Sequence, residues 1–140
     1  MLKTTIALGL TFIFVSTSLW ANPHDVIGTF LTEEKNSHIQ IEPCNQDSLC
    51  GKIVWLNPET LEPGVTPETA ESKKGEKVLG LTILKDFEKK KSDWRAGTIY
   101  DPGKDKLYAS RLKRLDNGDL QVKGCIAFIC QTQIWTPVVP

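Results

Sequence analysis

Net charge is the first thing missing from this chain: 17 lysines and arginines stand against 17 aspartates and glutamates. A nucleic-acid partner calls for a basic surplus, so that class is set aside. Histidine is nearly absent, with His24 and His38 separated by 14 positions. A zinc site needs further ligands, and cysteines held in disulfides cannot supply them. No metal or other cofactor is expected, and both histidines read as solvent-facing. There is no G-x-S-x-G elbow, no C-x-x-C redox pair and no phosphate-cradling glycine loop. The carboxylate pairs Glu33-Glu34 and Asp116/Asp119 fall in turns, where solvation keeps them ordinary and unsuited to general acid work. No catalytic constellation is visible, and the expectation is that this is not an enzyme. No internal repeat is present, and no apolar run reaches the roughly 20 residues a membrane-spanning helix requires.

The longest apolar run, Thr4 to Val15, follows the basic start Met1-Leu2-Lys3 and precedes the small residues Ser16, Thr17, Ser18 and Ala21. This is the layout of a secretory leader, expected over residues 1–21 and removed. Taking 21 residues from 140 leaves 119, one domain over 22–140, with 16 basic residues against 17 acidic ones once Lys3 is gone. No cysteine sits at the cut to carry a lipid anchor. The expected product is a soluble periplasmic monomer.

Four cysteines stand in two tight pairs, Cys44/Cys50 and Cys125/Cys130. Disulfides persist in oxidising compartments, which agrees with export. Between and around them period-2 alternation dominates, and long helical periodicity is absent. Eight strands are expected: Gly28–Glu33, His38–Pro43, Gly51–Leu56, Leu81–Phe87, Trp94–Asp101, Lys106–Leu115, Asp119–Cys125 and Cys130–Pro137. Hairpins in series, each with one apolar face, suit an all-β, up-and-down antiparallel barrel, because closure removes the exposed edges. The last strand then pairs with the first. The long polar connection 57–80, with Pro58, Pro63, Gly64, Pro67 and Gly75, reads as an excursion, and beside a ligand cavity it would be a mobile cover.

Register tests the cysteine pairs. Setting Cys44 opposite Cys50 places Glu42 against Lys52, Ile41 against Ile53 and Ile39 against Trp55, one face apolar and the other carrying an ion pair. Setting Cys125 opposite Cys130 puts Leu120 against Trp135 but Val122 against Gln133, a mismatch that a bulge would repair. Crossed pairing of Cys44 with Cys125 or Cys130 stays open from sequence alone. At Asp116-Asn117-Gly118 a three-residue loop with left-handed Gly118 sets Leu112 opposite Val122. Ile39, Ile41, Ile53, Trp55, Leu112 and Val122 are the expected core, with Gln40, Glu42 and Lys52 outside. Trp55, Tyr100, Tyr108 and Trp135 are candidate walls of a ligand cavity, although aromatic residues at strand spacing are more often simply core. Lys85, Lys89, Lys90, Lys91, Arg111, Lys113 and Arg114 form a basic face if strands 4 to 6 are neighbours, one able to meet anionic lipid headgroups or acidic glycan. Lysines that blunt a sheet edge are the commoner explanation.

The stretches Ile27-Gly28-Thr29-Phe30-Leu31-Thr32, Leu49-Cys50-Gly51-Lys52-Ile53-Val54-Trp55-Leu56, Gly97-Thr98-Ile99-Tyr100-Asp101-Pro102 and Phe128-Ile129-Cys130-Gln131-Thr132-Gln133-Ile134-Trp135, with others between them, are similar to those of an exported bacterial family, domain of unknown function family 2147. The resemblance implies export and a small lipocalin-like barrel, with Phe30 where that family usually has Trp, and it supplies no catalytic residues. Two functions follow as expectations. One is a barrel that binds a small apolar or amphipathic ligand, since eight strands can enclose one. The other is a protein-interaction or envelope-maintenance module whose interior is filled.

Overall fold

The computed structural model describes residue 9, residues 12–16 and residues 21–140; most of the leader expected over 1–21 lies outside the described residues. Eight strands follow in order: β1 (Gly28–Leu31), β2 (Ser37–Asn45), β3 (Ser48–Leu56), β4 (Thr82–Lys89), β5 (Trp94–Asp101), β6 (Lys106–Arg114), β7 (Leu120–Ile126) and β8 (Ile129–Pro137). Each pairs antiparallel with its sequence neighbour, and β8 returns to β1 through Phe30 opposite Pro137 and Leu31 opposite Thr136. The sheet is a closed barrel. Both disulfides join the expected partners, Cys44 with Cys50 and Cys125 with Cys130, and no cysteine is left free. The crossed pairing is thereby excluded.

Alternation places Phe30, Ile39, Ile41, Leu49, Ile53, Leu84, Phe87, Trp94, Leu112, Leu120, Val122 and Trp135 in one buried cluster. Two glycines make that density possible. A Cβ on Gly51 would lie 2.6 Å from the Leu84 side chain, and one on Gly97 would lie 2.4 Å from the Phe87 ring. Real Cβ atoms do not approach so closely, so the backbone at these positions is the wall against which larger neighbours pack. Ser110 is the polar member of this layer; its Oγ finds no hydrogen-bond partner among the described residues.

The β6–β7 and β7–β8 registers are the expected ones: Leu112 faces Val122, Leu120 faces Trp135 and Cys125 faces Cys130. Gly118 is left-handed, with φ of 92°. The pair Val122–Gln133 occurs with no bulge. The polar residue has a use there, because Gln133 Oε1 accepts the Trp135 indole N–H at 2.8 Å. A buried indole needs such an acceptor, and that need outweighs the mismatch.

The β2–β3 register differs from the expected one by two residues, with Glu42 opposite Cys50 and Ile39 opposite Ile53. A shift of two leaves every side chain on its own face. Ile39, Ile41 and Ile53 are therefore still inside, and Glu42 still reaches Lys52, at 3.4 Å. Cys44 is the extra residue of a bulge between Pro43 and Asn45 and meets Cys50 diagonally. A second bulge pairs His38 with Trp55 but Ile39 with Ile53, so Val54 is the extra residue on β3. That bulge turns Trp55 out of the core in which it was expected.

Candidate functional site

The barrel has two ends, and they are finished differently. One carries the β2–β3, β4–β5 and β6–β7 turns and is plugged by residues 22–27. Val26 is fully buried there. Arg114 donates its backbone N–H to the Pro23 carbonyl and an Nη1 hydrogen to the Asp25 carbonyl, both at 2.9 Å, while Trp94 Nε1 donates to the His24 carbonyl at 3.0 Å. The Arg114 guanidinium lies 5.1 Å from the centre of the Phe30 ring. Phe30 thus serves as the aromatic floor, beside a guanidinium that also donates to the Gly118 and Asp25 carbonyls.

The other end carries the 57–80 excursion and the β5–β6 and β7–β8 turns. The excursion is a packed arm. It opens with a short 3-10 turn at Pro58–Thr60, where Asn57 Oδ1 accepts the Glu59 N–H. Backbone bonds tie Asn57 to Asn36, Gly80 to Ile53 and Lys73 to Pro102, at 2.7–2.8 Å. Ala70 and Ser72 are buried, and Leu61, Val78, Leu79 and Leu81 pack on the core. The mobile cover is therefore not what these residues build. Few apolar side chains are present, but turns bring them to one side. At its tip Lys74 sits 3.1 Å from Asp105, Tyr100 Oη donates to Asp105 at 3.0 Å, and the Lys74 ammonium lies 5.4 Å from the Tyr100 ring. The Lys74 hydrogen bond, then that of Tyr100, holds the Asp105 carboxyl below its ordinary value. The same Asp105 bond raises Lys74. Burial, then Asp105, raises Tyr100.

Of the four aromatic residues expected to line a cavity, two face inward. Trp135 is buried in the core, and Tyr108 is half-buried beside Ile99 and Gly124. Trp55 stands on the outer face, 37% exposed, its ring 4.3 Å from that of His38. Desolvation there pushes the His38 imidazole below its ordinary value. Tyr100, opposite outward-facing Leu107, points out of the barrel and is half-buried there, packed on the core cluster with Lys74 of the arm beside its ring. The four share no wall. Two concavities open outward instead. One of about 570 Å³ lies between the Asn45–Ser48 turn and Asp86, Phe87 and Glu88. The other, about 290 Å³, lies on the outer face of β5–β8 among Arg95, Arg111, Lys113 and Lys123. Of the expected basic face, only Arg111 and Lys113 line it. Lys90 pairs with Glu88 at 2.9 Å, and Arg114 serves the plug. Among the described residues, no group of three His, Cys, Asp or Glu could hold a metal ion, and no helix is long and apolar enough to cross a membrane.

A surface that sequence reasoning missed stands at the β7–β8 turn. Ile126 is 44% exposed, Phe128 100% and Ile129 76%, with Leu107 at 61% on the adjacent strand. Ile126 and Ile129 form the last pair of the ladder, and Ala127 takes a left-handed φ of 51°. Two-residue hairpin loops favour Asn, Asp and Gly for such angles. Ala127 and Phe128 in their place, flanked by Ile126 and Ile129, were the available signal.

A closed eight-stranded antiparallel barrel, plugged at one end and stapled by two hairpin disulfides, places this protein among the small lipocalin-like barrels. The chain belongs to the family described as an uncharacterized protein conserved in bacteria (DUF2147), whose profile matches residues 28–137. Among solved structures it is similar to protein HP1028 from the human pathogen Helicobacter pylori, described as belonging to the lipocalin family. The likeness has a TM-score of 0.65 at 18% identity and covers 83% of this chain and 84% of that one. At that identity it speaks for the fold alone. A search of the curated proteins finds no match.

Proposed function

We propose that this protein is a non-catalytic docking module of an oxidising, exported compartment, the periplasm, and that it works through its outer surface while its interior serves as scaffold. The two disulfides support the compartment. The observation that carries the reading is a contrast of packing. Inside, Leu84 and Phe87 occupy the space that side chains on Gly51 and Gly97 would need. Outside, Phe128 touches solvent over its whole side chain. Large exposed apolar groups in one patch mark interaction sites in soluble proteins.

A second reading, a carrier of one small apolar or amphipathic molecule, draws on the half-buried inward residues Ile99, Tyr108 and Gln133 towards the mouth and on the lipocalin-like neighbour. Titration with a fatty acid, followed by tryptophan fluorescence, separates the two, because Trp135 reports the interior. A flat titration is expected. A saturable one-to-one shift that is abolished by Tyr108→Ala would replace the scaffold reading of the interior with the carrier.

A further inference from the structure

We propose that the β7–β8 tip and the basic cleft beside it together dock the protein on an anionic phospholipid surface, an inference that rests on the outer-surface reading above.

At the tip Phe128 is wholly exposed; Ile126 and Ile129 continue the inward-facing positions of β7 and β8 beyond Gly124 and Gln131 at the mouth, and Leu107 is exposed on the outer face of β6. A stable protein partner needs about 800 Å² from each side with matched shape. A handful of residues on a protruding turn cannot supply that. A lipid interface asks for no matched shape; it takes up an apolar protrusion to a depth of about 5–10 Å. The tip is also rigid. The Cys125–Cys130 bridge closes its base, and the β7–β8 ladder is unbroken from Leu120 to Ile126. It therefore cannot fold back onto the barrel to hide its side chains.

Charge selects the surface. Down the same strands, Lys123 pairs with Arg111 on one side and Thr132 on the other. With Arg95 and Lys113 these residues line the cleft of about 290 Å³. The acid in that lining, Asp93, is engaged by Arg95 at 2.6 Å, which leaves Arg111, Lys113 and Lys123 as the outward charge. Lys123 precedes Ile126 by three residues, a rise of about 10 Å along a strand. Apolar side chains in the acyl boundary would thus hold the lysine and arginine level with the phosphates, where basic residues are attracted to an anionic leaflet.

Cosedimentation of the purified exported protein with vesicles tests this. Binding is expected to phosphatidylglycerol vesicles, far less to phosphatidylcholine, and it should fall as salt shortens the range of the charges. Phe128→Ser should weaken binding by about tenfold or more through lost apolar insertion. The pair Arg111→Glu and Lys123→Glu should weaken it comparably, with unchanged thermal melting showing that each variant is folded. Failure of the folded wild type to bind phosphatidylglycerol vesicles would overturn the proposal. So would binding indifferent to Phe128→Ser, or inorganic phosphate displacing the protein from vesicles at equal ionic strength, which would make the cleft a soluble-anion site. The fatty-acid titration is independent: a protein that binds vesicles and also fills its interior keeps the dock and loses the scaffold reading.

Discussion

Two hairpin tips in this barrel are closed by the same covalent device and finished with opposite chemistry. The β2–β3 bridge spans a sequence separation of 6 and the β7–β8 bridge one of 5. Inside the first lie Asn45, Gln46, Asp47 and Ser48 with the buried Leu49 of the core; inside the second lie Ile126, Ala127, Phe128 and Ile129. Polar residues commonly close such turns through side-chain hydrogen bonds and tolerant backbone angles. Here the polar turn leaves Ser48 Oγ buried without a partner among the described residues, and the apolar turn leaves Phe128 and Ile129 open to solvent. A disulfide that already closes the loop relieves the turn residues of that duty. At the first tip they remained ordinary, and at the second they became a surface. The comparison teaches that the second tip is not explained by folding.

The largest expected effect tests the frame that both tips share. Phe87→Ala or Trp135→Ala should destabilise by about 3–5 kcal/mol as a large core deletion, read by urea unfolding, and both tips should lose order in one transition. Two separate transitions would show that the tips belong to independent units. Next come the staples. Replacing Cys44 and Cys50 by Ser, or Cys125 and Cys130 by Ser, should each cost about 2 kcal/mol, as loop-closure entropy gives for such short loops. Only the second pair should also weaken vesicle binding; an equal loss from both would end the contrast. Smaller again, Ser110→Ala should be neutral or stabilising by up to about 1 kcal/mol, since it removes a buried hydroxyl with no partner. A clear loss in thermal melting would reveal a bond that Ser110 makes in solution.

The smallest effect concerns pH and the arm beside the apolar tip. Asp105 has a depressed folded value, so its contribution is present above the ordinary carboxylate range and fades as pH falls through the folded value. Tyr100 and Lys74 are raised, so their contributions are present below their ordinary values and fade as pH rises through the folded ones. Amide protection at residues 73–76, meaning exchange corrected for its intrinsic pH dependence, should fall at both extremes in the wild type. In Asp105→Asn it should be lower at neutral pH. A flat acid limb in the wild type would remove Asp105 as the pin.

What sequence could show here divides along physical lines. The β7–β8 pairing was legible from the close spacing of Cys125 and Cys130 and from Leu120 against Trp135. The Val122–Gln133 pair read as a mismatch because the indole that Gln133 serves is invisible to alternation. The β2–β3 pairing was read two residues off because alternation cannot distinguish registers that differ by two. Composition hid the fold of the 57–80 arm, since Ala70, Val78 and Leu79 are diluted among charges yet gather on one side. Trp55 was placed inside because nothing in the sequence marks Val54 as a bulge. Phe128 went unremarked as a surface because strand patterns foretell what is buried better than what is left out.

The seam between β1 and β8 bears on how the barrel forms. Seven of its eight pairings join strands next to one another in sequence, contacts that a chain finds quickly. The eighth brings Phe30 to Pro137, nearly the two ends of the described barrel, and it is the shortest ladder of all. Loop closure makes that contact the entropically costliest of the eight. A chain in which it has not formed would show two open edges, the state in which sheet proteins stick to one another. Its own edges are poor templates: β1 has four residues, and Pro137 has no N–H to offer a foreign strand. A seam that is costly to close is thereby kept safe while it is open.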